Sequence, residues 1–275
     1  CVQVIEPGIL APEVVCEFTA APAGDPFPNH LDVQSTPVVV NFDQPQPSGP
    51  ASIIAAFTAY DEVNSYTEEL GILRILNGAN CSLQANLGGI DHDGDNAVDW
   101  FVSSASPAVA DLDGDQIAEI VVFGSDGSTF AFKLDNGNWT FLWKAPYPAG
   151  APWVPCNTTN HRCSRGWGSI SIHDLDDDGV PEVIREGVVF SASGALLSMQ
   201  PPGYASYHVG LHPALAQLDA DPFVEYTNGQ FVWQWNAGVW EQETYFTGAA
   251  PGYVALADFG DYGSGDATDA EIAVV

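Results

Sequence analysis

One phrase recurs along this chain, and its spacing restricts the fold more than any other feature. Small and apolar residues lead into an acidic residue, Leu, Asp, one variable residue and Asp. An acidic residue and a second apolar run follow. Ser106-Pro-Ala-Val-Ala-Asp111-Leu-Asp113-Gly-Asp115-Gln-Ile-Ala-Glu119-Ile-Val-Val122 is the clearest copy. Residues 169–184 repeat it, with Asp174, Asp176, Asp178 and Glu182 at matching places. A third copy, residues 213–225, has Gln217 at the first acidic place, then Asp219, Asp221 and Glu225. A fourth starts at Tyr253 and Asp258 and runs through a longer loop to residues 270–275. A worn copy, residues 36–43, leads to the apolar run 52–57. The anchors Asn41, Asp111, Asp174, Gln217 and Asp258 stand 70, 63, 43 and 41 residues apart. The two short steps match one four-stranded propeller blade of about 40–50 residues. The two long steps read as blades that carry loop insertions.

The stretches between anchors have the same cadence. After Glu119 come an apolar strand (120–123), a Ser125-Asp-Gly turn and an alternating strand (129–134). An Asp135-Asn-Gly turn and a last strand (139–143) complete the unit. After Glu225 the order returns, with strands at 231–235 and 239–245 around an Asn236-Ala-Gly turn. Short alternating strands joined by tight-turn residues specify an all-β fold, and helical periodicity is weak throughout. A β-sandwich is the rival architecture, because it also uses short alternating strands.

The chain carries 36 Asp and Glu against 6 Lys and Arg, a formal net charge of −30. Such a surface repels nucleic acid and anionic membrane, since both are bound through Lys and Arg. No run is long and apolar enough to span a membrane. Hydrophobic residues make up 46% of the sequence, which is a packing composition and not that of an acidic disordered tail.

The acidic residues of the phrase have a regular geometry. In Asp111, Asp113, Asp115 and Glu119, carboxylates hold places 1, 3, 5 and 9, and Ile117 at place 7 offers a backbone carbonyl. Asp174, Asp176, Asp178, Val180 and Glu182 repeat that set at identical spacing. Asp91, Asp93, Asp95, Ala97 and Asp99 have it again, inside an insertion only 20 residues before Asp111. Carboxylates held within a few ångströms repel one another strongly without a cation. Calcium takes six to eight oxygens at about 2.3–2.6 Å, whereas magnesium demands a near-octahedral shell and keeps several waters. The loops therefore read as Ca2+ sites, against the alternative of solvated Asp-Gly turns. The Gln217 copy, with Asp219, Asp221 and Glu225, reads as a weakened site. The fourth copy offers Asp258, Asp261, Asp266 and Asp269 in an unsettled register.

The phrase around residues 107–122 resembles the FG-GAP repeat, also called the VCBS-type repeat, of integrin-α-like β-propellers. The resemblance implies a propeller whose calcium loops join the first two strands of each blade. It carries over to Asp111, Asp113, Asp115 and Glu119, and to Asp174, Asp176, Asp178 and Glu182. It departs at Asn41 and Gln217. It divides the chain into an N-terminal Cys/Pro-rich leader, residues 1–35, and a propeller, residues 36–275. Propellers of this family usually have seven blades, while five anchors are visible. The chain stops at Val275, where the second strand of a blade should end. It is expected to be a fragment, or a ring completed otherwise, whose open strand edges would favour self-association.

Cys1 with Cys16, and Cys156 with Cys163, are expected to pair, leaving Cys81 over. Disulfides place the chain in an oxidising compartment, extracellular or at the cell surface. Cys1 could instead carry a lipid anchor. No nucleophile elbow, metalloprotease helix or phosphate-binding loop occurs. The six His residues are scattered. Trp153, Trp167, Trp233, Trp235 and Trp240 would pack between blades or, if exposed, stack on sugars. The expectation is a calcium-binding, non-catalytic adhesion, matrix or assembly protein with a protein or polysaccharide ligand. Its rivals are a carbohydrate-binding lectin and a calcium-dependent polysaccharide lyase or accessory domain.

Overall fold

The computed structural model describes residues 13–42, 49–59, 70–148, 168–204, 214–219, 221–257 and 271–274. The described residues form five antiparallel sheets and no helix. The first contains β1 (Asp32–Val33), β2 (Val38–Val40), β3 (Ser52–Thr58), β4 (Leu70–Asn77), β5 (Leu83–Leu87) and β6 (Phe101–Val102). β1 and β2 share one edge of β3, and β5 and β6 share the far edge of β4, so this sheet is a four-layer blade with divided edges. The second runs in order through β7 (Ala108–Ala110), β8 (Glu119–Phe123), β9 (Thr129–Asp135) and β10 (Asn138–Ala145). The third is β11 (Ile170–His173), β12 (Glu182–Arg185), β13 (Val188–Phe190) and β14 (Leu196–Ser198). The fourth is β15 (Ala214–Ala216), β16 (Glu225–Thr227), β17 (Phe231–Asn236) and β18 (Val239–Tyr245). The fifth pairs β19 (Val254–Ala257) with β20 (Glu271–Val274).

The inner strands β2, β7, β11, β15 and β19 lie against one another in sequence order. The blades therefore follow each other around a common axis, and the first three bury both faces. On β8, Ile120 and Val122 pack with Ile54, Ala56, Leu73 and Ile75 of the first blade. Val121 and Phe123, on the other face, pack with Ile170, Val183, Val188 and Phe190 of the third. Ile184 and Val189 then join Tyr226, Trp233, Trp235 and Trp240 of the fourth. A strand buried on both faces loses the polar alternation of a half-exposed strand. That is why residues 120–123 read as an unbroken apolar run.

Three hairpins turn through only two residues: Asn136-Gly137, Glu186-Gly187 and Ala237-Gly238. Both members of each pair have positive φ, as a type I′ turn requires. Trp233, Trp235 and Trp240 are buried between blades, so they offer no sugar-stacking face. Trp153 and Trp167 lie outside the described residues.

The cysteine expectation needs one correction. Cys16 bonds Cys81, at a sequence separation of 65, so it cannot pair with Cys1. The Cys1–Cys16 pairing joined neighbours in sequence, but the chain after Cys16 lies back over the first blade. Phe18 and Phe27 cover Ala55, Phe57, Ile72 and Leu76, on the face turned away from the second blade. Asp25 meets Arg74 at 2.7 Å with both side chains fully buried. Arg74 also donates to the carbonyls of Phe27 and His30. The Cys156–Cys163 pair lies outside the described residues.

Closing so long a loop restricts the unfolded chain by about 4 kcal/mol on the chain-entropy estimate. Replacing Cys16 and Cys81 together by Ser should lower the unfolding free energy by up to that amount, seen as a lower denaturant midpoint in tryptophan fluorescence. An unchanged midpoint would show that the bridge fastens nothing.

Candidate metal centre

Each acidic phrase lies where its inner strand hands over to the second strand of a blade. Residues 111–118 join β7 to β8, residues 174–181 join β11 to β12, and residues 217–224 join β15 to β16. The Asp91–Asp99 loop is the exception. It lies between β5 and β6, closed by a bridge from Ile90 to Asp99.

The first three loops of the chain fold alike. At Asp111, one carboxylate oxygen accepts the Gly114 N–H at 2.7 Å and the other accepts the Gln116 N–H at 2.9 Å. Asp91 does the same with Gly94 and Asn96, and Asp174 with Asp178 and Gly179. Places 4 and 6 have positive φ in all three: Gly94 and Asn96, Gly114 and Gln116, Asp177 and Gly179. One of the two is glycine each time, which lowers the cost of the left-handed turn. Asp95, Asp115 and Asp178 accept the N–H of Ala97, Ile117 and Val180, which fixes those place-7 residues on the loop.

The ninth place closes each loop from inside the blade. Glu119 accepts the Leu112 N–H at 2.7 Å, Glu182 accepts that of Leu175 at 2.9 Å, and Glu225 accepts that of Leu218. Asp99 accepts the His92 N–H at 2.8 Å. Glu119 and Glu225 are fully buried, and each has a second oxygen, Oε1, with no hydrogen-bond partner. Burial first, and then the nearby Asp113, Asp115 and Asp111, push the Glu119 carboxyl up to about 7, against the Leu112 hydrogen bond. Burial, with Asp219, Asp221 and Glu243, pushes Glu225 up to about 7 as well. Glu182 is raised for the same reasons.

Four groups of carboxylates have ligand atoms within 4.8 Å of one another: Asp91, Asp93 and Asp99; Asp111, Asp113 and Asp115; Asp174, Asp176 and Glu182; Asp219, Asp221 and Glu225. Glu119, Asp178 and Asp95 stand outside the tightest sets of their loops. Gln217 turns its amide nitrogen onto the carbonyls of Asp219 and Asp221, yet the three acids after it still converge. Asp258, Asp261, Asp266 and Asp269 lie outside the described residues. Sequence reasoning missed the amines. Lys133 reaches Asp113 at 2.5 Å and Asp115 at 3.5 Å, and Lys144 reaches the Asp91–Asp99 loop. The signal was available: these are the only two lysines of a chain with net charge −30.

The donor set suits a hard cation. Every convergent side-chain ligand is a carboxylate oxygen, and two buried oxygens lack partners. Asp111, Asp113, Asp115 and Glu119, with Asp174, Asp176, Asp178 and Glu182, are the residues that would hold calcium.

Comparison with known proteins bears on both fold and loops. Residues 111–184 match the FG-GAP-like repeat family. No curated protein matches the chain in sequence. Among solved structures, rhamnogalacturonan lyase YesW is 16% identical with a TM-score of 0.52, over 90% of this chain and 45% of that one. A Bacillus licheniformis rhamnogalacturonan lyase, PL11, is 20% identical with a TM-score of 0.49, over 90% and 44%. The exotype rhamnogalacturonan lyase YesX is 13% identical with a TM-score of 0.43, over 86% and 52%. The chain thus spans about half the length of these structures or less, and its likeness to YesW concerns the fold alone. The sheets are blades of a β-propeller, and the stretch with the two best-matched acidic loops is FG-GAP-like in sequence.

Proposed function

We propose that this chain is an extracellular or cell-surface β-propeller that holds calcium in its strand-joining loops and acts as a non-catalytic adhesion or matrix scaffold. The observation that carries the reading is the convergence of carboxylates in equivalent loops of successive blades, with unpartnered buried oxygens on Glu119 and Glu225. Calcium would neutralise charges that otherwise repel, and would tie the inner strand of a blade to the next one. The Cys16–Cys81 bridge favours an oxidising compartment. A rigid propeller presents loop faces to a protein or polysaccharide ligand, and its acidity disfavours nucleic acid. No helix among the described residues is long and apolar enough to cross a membrane.

A second reading, a polysaccharide-active protein, is favoured by the fold likeness to YesW. The exposed Tyr245 and Phe246 at the end of β18 would suit sugar stacking in a lectin. Incubation with rhamnogalacturonan in calcium buffer separates these readings. The scaffold reading expects no unsaturated product in the ultraviolet. Product formation would replace it with the lyase, and glycan-array binding without cleavage would replace it with the lectin.

Calcium should raise the melting temperature. A ligand bound only to the folded state at a hundredfold excess over its Kd adds about 2.7 kcal/mol per site. Equal melting temperatures in saturating calcium and in chelator would refute the calcium reading.

The pH dependence should differ between the two conditions. Glu119 and Glu225 titrate near 7 in the metal-free fold, against about 4.5 for an ordinary glutamate. Between those values the folded chain holds more protons than the unfolded one, so their contribution to stability falls as pH rises. Asp93 and Asp113, held below 3.8 by Lys144 and Lys133, lose their contributions only in more acid solution. His30 and His92, lowered by burial, act in the opposite sense with or without calcium. The stabilisation by calcium should therefore grow from pH 5 to pH 7.5, measured by thermal melts at both. A calcium effect independent of pH would remove the two glutamates from the site.

A further inference from the structure

The four acidic groups differ in what already neutralises them. Lys144 projects from β10 into the Asp91–Asp99 loop, which belongs to a different part of the chain. Its Nζ lies 2.8 Å from Asp93, 3.4 Å from Asp95 and 3.4 Å from Asp99. Asp126, from the turn between β8 and β9, adds a fourth carboxylate at 3.1 Å. The ring of Phe130, paired with Lys144 across β9 and β10, lies beneath the ammonium at 5.0 Å. The side chain is only 17% exposed.

The ninth-place acid separates this loop from the others. At Asp99 both oxygens are engaged, Oδ2 by the His92 N–H and Oδ1 by Lys144. At Glu119 and Glu225 one buried oxygen has no partner. Lys133 does not change this for the Asp111 loop, because it stands at the rim on Asp113 and Asp115 while Glu119 Oε1 stays unserved.

Resting on the reading of the other loops as calcium sites, we propose that the Lys144 ammonium is the resident cation of the Asp91–Asp99 loop and takes the place of a metal ion there. The loop has the same backbone bonds as the Asp111 loop and the same left-handed places as the Asp111 and Asp174 loops. Its charge is partly offset from within the protein. An ammonium with four carboxylates around it excludes a divalent ion, because both would need the same oxygens and would repel each other at short range. The tether also joins the insertion that carries Asp91–Asp99 to the second blade through β10, whether or not calcium is present.

Calcium counting by native mass spectrometry tests this. Lys144→Met should bind one calcium more than the wild type. In chelator it should melt below the wild type, and saturating calcium should restore most of the loss. Adding Asp93→Asn and Asp95→Asn to that variant should remove the extra ion. The same two Asn substitutions in the wild-type background should leave the calcium count unchanged, an arm that does not depend on the folding of Lys144→Met. An unchanged count in a folded Lys144→Met, or the loss of one calcium from the wild type with Asp93→Asn and Asp95→Asn, would overturn the assignment. A wild type without calcium beside a Lys144→Met that binds one would overturn the proposed function and leave the Lys144 assignment standing.

Discussion

Burial of both faces of the first three blades is the constraint on which this fold depends. A four-stranded sheet with apolar residues on both sides is not stable alone in water, so it must lie between two covers. β8 and β12 meet the requirement by giving alternate residues to the blades on either side. On the first blade, the face turned from the second is covered by Phe18 and Phe27 of the N-terminal segment. That cover is held by a disulfide and by a buried ion pair. Arg74 is fully buried on β4, and its charge is tolerable there only because Asp25, Asn86 and two carbonyls surround it.

The acidic loops follow from the same geometry. Inner strands of three or four residues end close to the axis, and the chain must reverse at once into the second strand. Carboxylates at places 1, 3 and 5 take up the backbone N–H groups that this reversal leaves unpaired. The same side chains then face one another at short range. Hydrogen bonds from neutral N–H groups ease the repulsion without cancelling it. On the proposed reading a cation would complete the loop, drawn from solution or supplied by one of the protein's own lysines.

Much of this was legible in the sequence, because the phrase combines two signals that must coincide in space. The strands around Asp111 and Gln217 could be placed to within a residue or two, since turn residues such as Asn136-Gly137 bracket apolar alternation. The loops could be read because places 1, 3, 5 and 9 are local. What could not be read is long-range pairing. Cys16 finds Cys81 across 65 residues, and nothing in the spacing favours that partner over Cys1. Lys144 finds Asp93 because β10 returns alongside the insertion, a proximity set by the blade and not by sequence distance. The worn first copy was recognisable from its apolar run, but the division of its edges between β1 and β2, and between β5 and β6, follows from insertions whose path carries no motif.

The second place of the phrase links loop charge to core packing. Leu112 and Leu175 are buried between blades, and the N–H of each is held by the ninth-place glutamate of its own loop. That hydrogen bond therefore ties each acidic loop to a core leucine directly. Where the core demand is weaker, the phrase relaxes. Leu218 is only partly buried, and its loop has Gln217 in place of the first acid. In the Asp91–Asp99 loop the second place is His92, whose ring stands edge-on to Phe132 at 4.9 Å and accepts the Gly88 N–H. A polar ring there anchors the loop to strand and turn at once, outside the interblade cores that hold Leu112 and Leu175. The loops thus share one backbone solution while their second residues differ in how they meet the core: Leu112 and Leu175 lie inside it, and His92 stands edge-on to Phe132 at its margin.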